Sequence, residues 1–116
     1  MKYKGSCHCG KVAFEAEGEL TQVMECNCSI CTKRGYLLWA VPFENLHLLT
    51  PESSLATYTF NTHKIKHRFC PVCGTGTFGQ GTNPKTQAPM AAINIRCLEG
   101  VDIQTIKRIQ FDGRSL

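Results

Sequence analysis

Seven of the eight cysteines in this 116-residue chain fall into three tight clusters, so any fold it adopts must first place those thiols. Cys7-His8-Cys9 sets two thiols one residue apart, Cys26-Asn27-Cys28-Ser29-Ile30-Cys31 supplies three, and Cys70-Pro71-Val72-Cys73 is a two-thiol knuckle. Such density in a secreted chain means disulfides. Here Met1-Lys2-Tyr3-Lys4-Gly5 leads into no apolar signal segment, so a reducing, cytoplasmic setting is expected, with the thiols used for metal. A redox or metal-buffering role for the three-thiol run is a rival use.

Ligand arithmetic separates the clusters. A structural zinc is closed by four ligands, and C-x-C and C-x-x-C are each bidentate. Cys7, Cys9, Cys70 and Cys73 can therefore complete one Cys₄ site that staples distant parts of the chain. A catalytic zinc typically has three protein ligands and keeps its fourth position open. Cys26, Cys28 and Cys31 supply that number. Cys97 is the one candidate for an eighth ligand, but a lone cysteine in an apolar run is more often a small buried hydrophobe. His8, His47, His63 and His67 have no partners at metal spacing and are read as ordinary histidines.

With 42% hydrophobic and 19% charged residues, the chain suits a single domain over 1–116. No apolar stretch approaches the roughly 20 residues of a membrane span. The formal charge of +4 hints at nucleic acid, yet seven metal-bound thiolates and two Zn²⁺ bring it to about +1. The basic residues are also dispersed, so a nucleic-acid partner is disfavoured. Short β-forming runs recur at Val12–Ala16, Leu20–Met24, Tyr36–Val41, Leu46–Leu49, Leu55–Phe60, Ile65–Phe69, Met90–Arg96 and Ile106–Phe111. They predict a mainly β domain of short antiparallel strands. Gly74–Gly81 lacks the Lys-Ser/Thr ending of a phosphate loop, and its glycines are read as tight turns.

Gly5-Ser6-Cys7-His8-Cys9-Gly10-Lys11-Val12, the run Cys26–Cys31, and His67-Arg68-Phe69-Cys70-Pro71-Val72-Cys73-Gly74 occur in this order, followed by Asn94-Ile95-Arg96-Cys97-Leu98-Glu99. Together they resemble the glutathione-dependent formaldehyde-activating enzyme family, which also includes centromere protein V. The resemblance implies a small zinc-bridged β-tent with two zinc ions per chain. A structural zinc would sit on Cys7, Cys9, Cys70 and Cys73. A second, associated with catalysis and glutathione, would sit on Cys26, Cys28 and Cys31; a three-thiol site exposed to solvent loses metal easily by oxidation. The family's named reaction joins glutathione to formaldehyde, and its enzymes are classed with the carbon–sulfur lyases.

The leading expectation is a zinc-dependent, carbon–sulfur lyase-like enzyme acting on a thiol adduct of a small aldehyde, resembling S-(hydroxymethyl)glutathione synthase, with glutathione as co-substrate. Three thiolates blunt zinc as a Lewis acid, which favours delivery of a substrate thiolate over polarisation of the aldehyde. The alternative is a zinc-stabilised binding module with two structural metal sites and no catalysis. A fourth protein ligand at the second site would mark it. The chain is shorter than the family's founding enzymes, which leaves its substrate open. Lys33, Arg34 and Arg68, beside the clusters, are read as solvated charges, and Trp39 and Phe69 as core.

Overall fold

A computed structural model describes residues 1–115 of the chain. The β-forming runs assemble into two sheets. The smaller is antiparallel, in the order β1 (Lys2–Ser6), β2 (Ala13–Glu17) and β5 (Leu46–Leu48). The larger has seven strands. Its order is β10 (Lys107–Phe111), β3 (Gln22–Cys26), β4 (Leu38–Pro42), β9 (Pro89–Asn94), β8 (Gly76–Thr82), β7 (Lys66–Phe69) and β6 (Ala56–Tyr58). Every pair is antiparallel except β10 with β3. A parallel pair needs a long crossover, and here most of the chain lies between the two strands.

Alternation along each strand decides which face is dry. In β4, Trp39 and Val41 are buried while Ala40 between them is exposed. In β9, Ala91 and Ile93 are buried, with Met90 and Ala92 half-buried on the alternate positions. The buried residues of the large sheet join Phe14, Ala16 and Leu46 of the small one in a common core. The fold is thus mainly β, as the periodicity predicts, and all eight β-forming runs contain strands. Trp39 is core, also as expected.

Three elements were not legible in advance. Strand β1, Lys2-Tyr3-Lys4-Gly5-Ser6, is too polar to signal itself and is held by its register with β2. The three-thiol run, expected as a loop, contains a short helix, α1 (Ser29–Arg34), closed by Gly35 in the left-handed region at φ 68°. Gly74 does sit in a turn with positive φ, but Gly76 to Thr82 form the longest strand rather than turns. Of these glycines only Gly76 is required by a close neighbour. A Cβ on Gly76 would lie 2.1 Å from the Tyr36 hydroxyl, whereas one on Gly79 would meet nothing nearer than 3.8 Å.

Gly76→Ala should therefore cost about 1–3 kcal/mol through overpacking, seen as a fall of several degrees in the thermal unfolding midpoint. Gly79→Ala, in ordinary van der Waals surroundings, should leave that midpoint unchanged or slightly raised.

Candidate metal centres

Cys7 and Cys9 follow β1 of the small sheet, while Cys70 and Cys73 lie in the turn from β7 to β8 of the large one. Folding brings the four thiols together across the two sheets. Their sulfurs lie within 4.8 Å of one another, with Cys7 to Cys9 at 3.7 Å and Cys9 to Cys70 at 3.6 Å. Four sulfurs about 2.3 Å from one zinc would stand about 3.8 Å apart, so the cluster fits a tetrahedral ion. Backbone amides supply the surrounding donors. Val12 N–H donates to Cys7 Sγ at 3.3 Å, and the amides of Val72 and Cys73 donate to Cys70 Sγ at 3.4 and 3.5 Å. The Thr75 hydroxyl lies 3.3 Å from Cys73 Sγ. This hydroxyl and the Thr75 amide hold the Cys73 thiol down at about 5, and the Cys73 and Val72 amides lower Cys70. Such donors favour thiolate, the form a metal needs.

The second cluster is built differently. Cys26 ends β3, Cys28 is the N-cap of α1, and Cys31 lies within that helix. Positions i and i+3 of a helical turn share a face, so α1 stacks the last two thiols beside the first. The three sulfurs lie within 4.8 Å of one another. Burial pushes the Cys31 thiol up. Burial also acts to raise Cys28, but hydrogen bonding from the backbone and side chain of Cys31 outweighs it and the thiol is lowered. Among the described residues, no fourth His, Cys, Asp or Glu joins this set.

Cys97 does not close the second cluster. It is half-buried near Cys7 and Cys73, its thiol facing the Gly76 carbonyl at 3.6 Å. Burial pushes it up to about 11. This is the environment of a packed thiol rather than a ligand.

The three-thiol cluster opens into a cleft on the outer face of the large sheet, where Met24, Tyr36, Leu38, Ile65 and His67 are among the walls. His67 departs from the ordinary histidine expected of it. It is 9% exposed, stacks on Phe60 at 5.4 Å, and makes no hydrogen bond with its side chain among the described residues. Burial, then the nearby Arg34 charge, lower its pKa below 6.5, so the ring is neutral at pH 7. No spacing in the sequence marks His67; only the fold brings it to the cleft into which the thiols open. On the other side, Asn27 ties down the C-terminal turn. Its amide donates to the Phe111 carbonyl, its side chain donates to Asp112, and its side-chain oxygen accepts from Arg114 N–H. Gly113 then sits so close that a Cβ there would lie 2.5 Å from Cys26 Sγ.

Of the neighbouring cations, Lys33 and Arg34 are exposed, as expected of solvated charges, whereas Arg68 is not. Arg34 donates to the Tyr36 hydroxyl at 2.8 Å and lies 5.3 Å from the Phe69 ring centre. Arg68 is buried, bonded to Glu52 and Gln80.

Over residues 2–109 the chain matches the family described as glutathione-dependent formaldehyde-activating enzyme, and it belongs to that family. Its fold is similar to that of a Rhodobacter sphaeroides protein of known crystal structure. The two are 30% identical with a TM-score of 0.77, and the match covers 94% of this chain and 100% of the other. Among the described residues, no helix is long and apolar enough to cross a membrane.

The two clusters should respond differently to loss of a thiol. Cys70→Ser removes a fully buried ligand from between the sheets and should abolish cooperative unfolding, since metal sites of this kind contribute about 10–16 kcal/mol in peptides. Cys28→Ser should leave a folded protein with less metal by elemental analysis. His67 should titrate with a midpoint below 6.5 in an NMR pH series. Because the unfolded chain takes up that proton first as the pH falls, the stability this site provides is present above 6.5 and lost below it.

Proposed function

We propose that the chain is a zinc-dependent enzyme of the carbon–sulfur lyase class that makes or breaks the adduct between a thiol, glutathione first among candidates, and an aldehyde. One observation carries the reading. Three thiols without a fourth protein ligand open into a cleft that also holds a neutral, unbonded imidazole. Cys7, Cys9, Cys70 and Cys73 are assigned to a structural zinc. Cys26, Cys28 and Cys31 are assigned to a second, whose open position would hold a substrate sulfur as thiolate at neutral pH.

The remaining work falls to the chain. In adduct formation the S–H bond and the carbonyl π bond break, and a C–S and an O–H bond form. His67, neutral and lining the same cleft as the thiols, would accept the proton released by the thiol and return it to the carbonyl oxygen. Cleavage reverses these steps. The family's description and the donor set both support this assignment. Eight unpaired thiols suit a reducing compartment such as the cytoplasm. A binding module with two structural zincs would call for a fourth protein ligand at the second cluster, and the described residues offer none.

Zinc-edge X-ray absorption on anaerobically purified protein tests the assignment. Two zincs per chain are expected, one changing from three sulfurs plus a light atom to four sulfurs when glutathione is added. One zinc, or two four-sulfur sites indifferent to glutathione, would sink the mechanism. His67→Gln should keep both zincs and lower kcat by about 10²–10⁴-fold, with the acidic limb of the pH profile lost.

A further inference from the structure

Across the outer face of the large sheet, four strands in register carry Ala40, Ala92, Gly79 and His67. Three successive strands thus place nothing larger than a methyl group on this face before the row ends on the imidazole. The next row continues with Met90 and Gly81. Ile65 stands over Gly79 and Gly81, 3.8 and 3.6 Å from where their Cβ atoms would be. Phe111 and Met24 wall the end nearest the thiols. The cleft, open to solvent on one side, has a volume of about 260 Å³, reaches Cys26, Cys28 and Cys31, and is lined by no Lys, Arg, Asp or Glu. Its histidine makes no side-chain hydrogen bond to protein among the described residues, which leaves the ring nitrogens free to meet the polar end of a ligand.

We propose that this cleft takes the apolar body of the substrate, so that the aldehyde handled at the three thiols carries an alkyl or aryl group rather than being a one-carbon aldehyde. The proposal rests on the carbon–sulfur reading above and names its substrate class. Size supports it: a dry cavity of about 150 Å³ accepts benzene, and a molecule near the size of water accounts for only about 30 Å³. Scaled in the same way, the cleft holds a body of about six to ten carbons. Charge supports it too. Walls without charged side chains offer nothing to a carboxylate, so the charged parts of a thiol co-substrate lie outside while the aldehyde's carbon chain lies within.

The three methionines make the test direct, because Met24 and Met90 line the cleft while Met1 is 81% exposed at the terminus. Zinc-loaded protein labelled at the methionine methyls is titrated with 1-hexanol and benzyl alcohol, which cannot react. In parallel, kcat/KM with glutathione is measured for straight-chain aldehydes from ethanal to dodecanal, whose carbonyls are equally reactive. The expected result is saturable shifts at Met24 and Met90 but not Met1, with kcat/KM rising about three- to fourfold per methylene and levelling once the chain outgrows the cleft. Ala92→Leu and Ala40→Leu, each of which narrows the cleft, should weaken alcohol binding at least tenfold with zinc content and unfolding midpoint retained. Turnover that is flat across the series, or methyls that do not respond, would overturn the proposal and leave the carbon–sulfur reading standing. Saturable methyl shifts without turnover of any aldehyde would uphold the cleft as an apolar ligand site and sink that reading.

Discussion

The four-thiol bridge between the sheets is the constraint on which the rest depends. Cys9 and Cys70 are 61 residues apart in sequence, and their sulfurs meet at 3.6 Å. One partner hangs from the small sheet and the other from the large one, so the bridge fixes how the sheets lie against each other. A chain of this length has a total stability of about 5–15 kcal/mol, the same order as a closed zinc site supplies. With the sheets held so, Phe14, Ile93 and Val12 are buried in a core whose size alone would leave little margin.

That arrangement leaves the second face of the large sheet uncovered, and this is where the three-thiol cluster opens. A sheet with one dry face normally turns polar residues to water on the other. Here the central strands show alanine, glycine and methionine instead. The departure is local. It covers the strands beside the three-thiol cluster, whereas β10 and β6 at the edges carry charged and hydroxyl residues. Small side chains on a flat sheet make a trough without any loop having to form it.

How much was legible in advance follows from what each signal depends on. Thiol spacing is a local property, so both clusters could be read directly, and counting seven thiols against the eight ligands of two closed sites set a four-thiol group apart from a three-thiol one. Period-two alternation is also local and located eight strands. The rest needed contacts between distant segments. The Gly74–Gly81 run looked like turns because glycine weakens a strand in isolation; only Tyr36 packed over Gly76 gives the missing side chain a reason. Helix α1 was hidden within the thiol spacing, although Gly35 after Lys33 and Arg34 is a recognisable helix end. Arg68 looked like a surface charge because its partner Glu52 comes from a different turn. His67 had no sequence mark at all, since what distinguishes it is the absence of a partner.

The neutral state of His67 and the apolar walls around it have one origin. Burial among hydrocarbon penalises the imidazolium and, with the Arg34 charge, keeps the ring able to accept a proton at pH 7. In the proposed reaction the same apolar walls would leave the interaction between a thiolate and a polarised carbonyl less screened than in open water. A ligand body that fills the cleft removes more water and pushes both effects further in the same direction. Binding energy from a carbon chain remote from the reacting atoms would then raise the rate as well as the affinity, which is the condition under which a hydrophobic cleft contributes to catalysis rather than to retention alone.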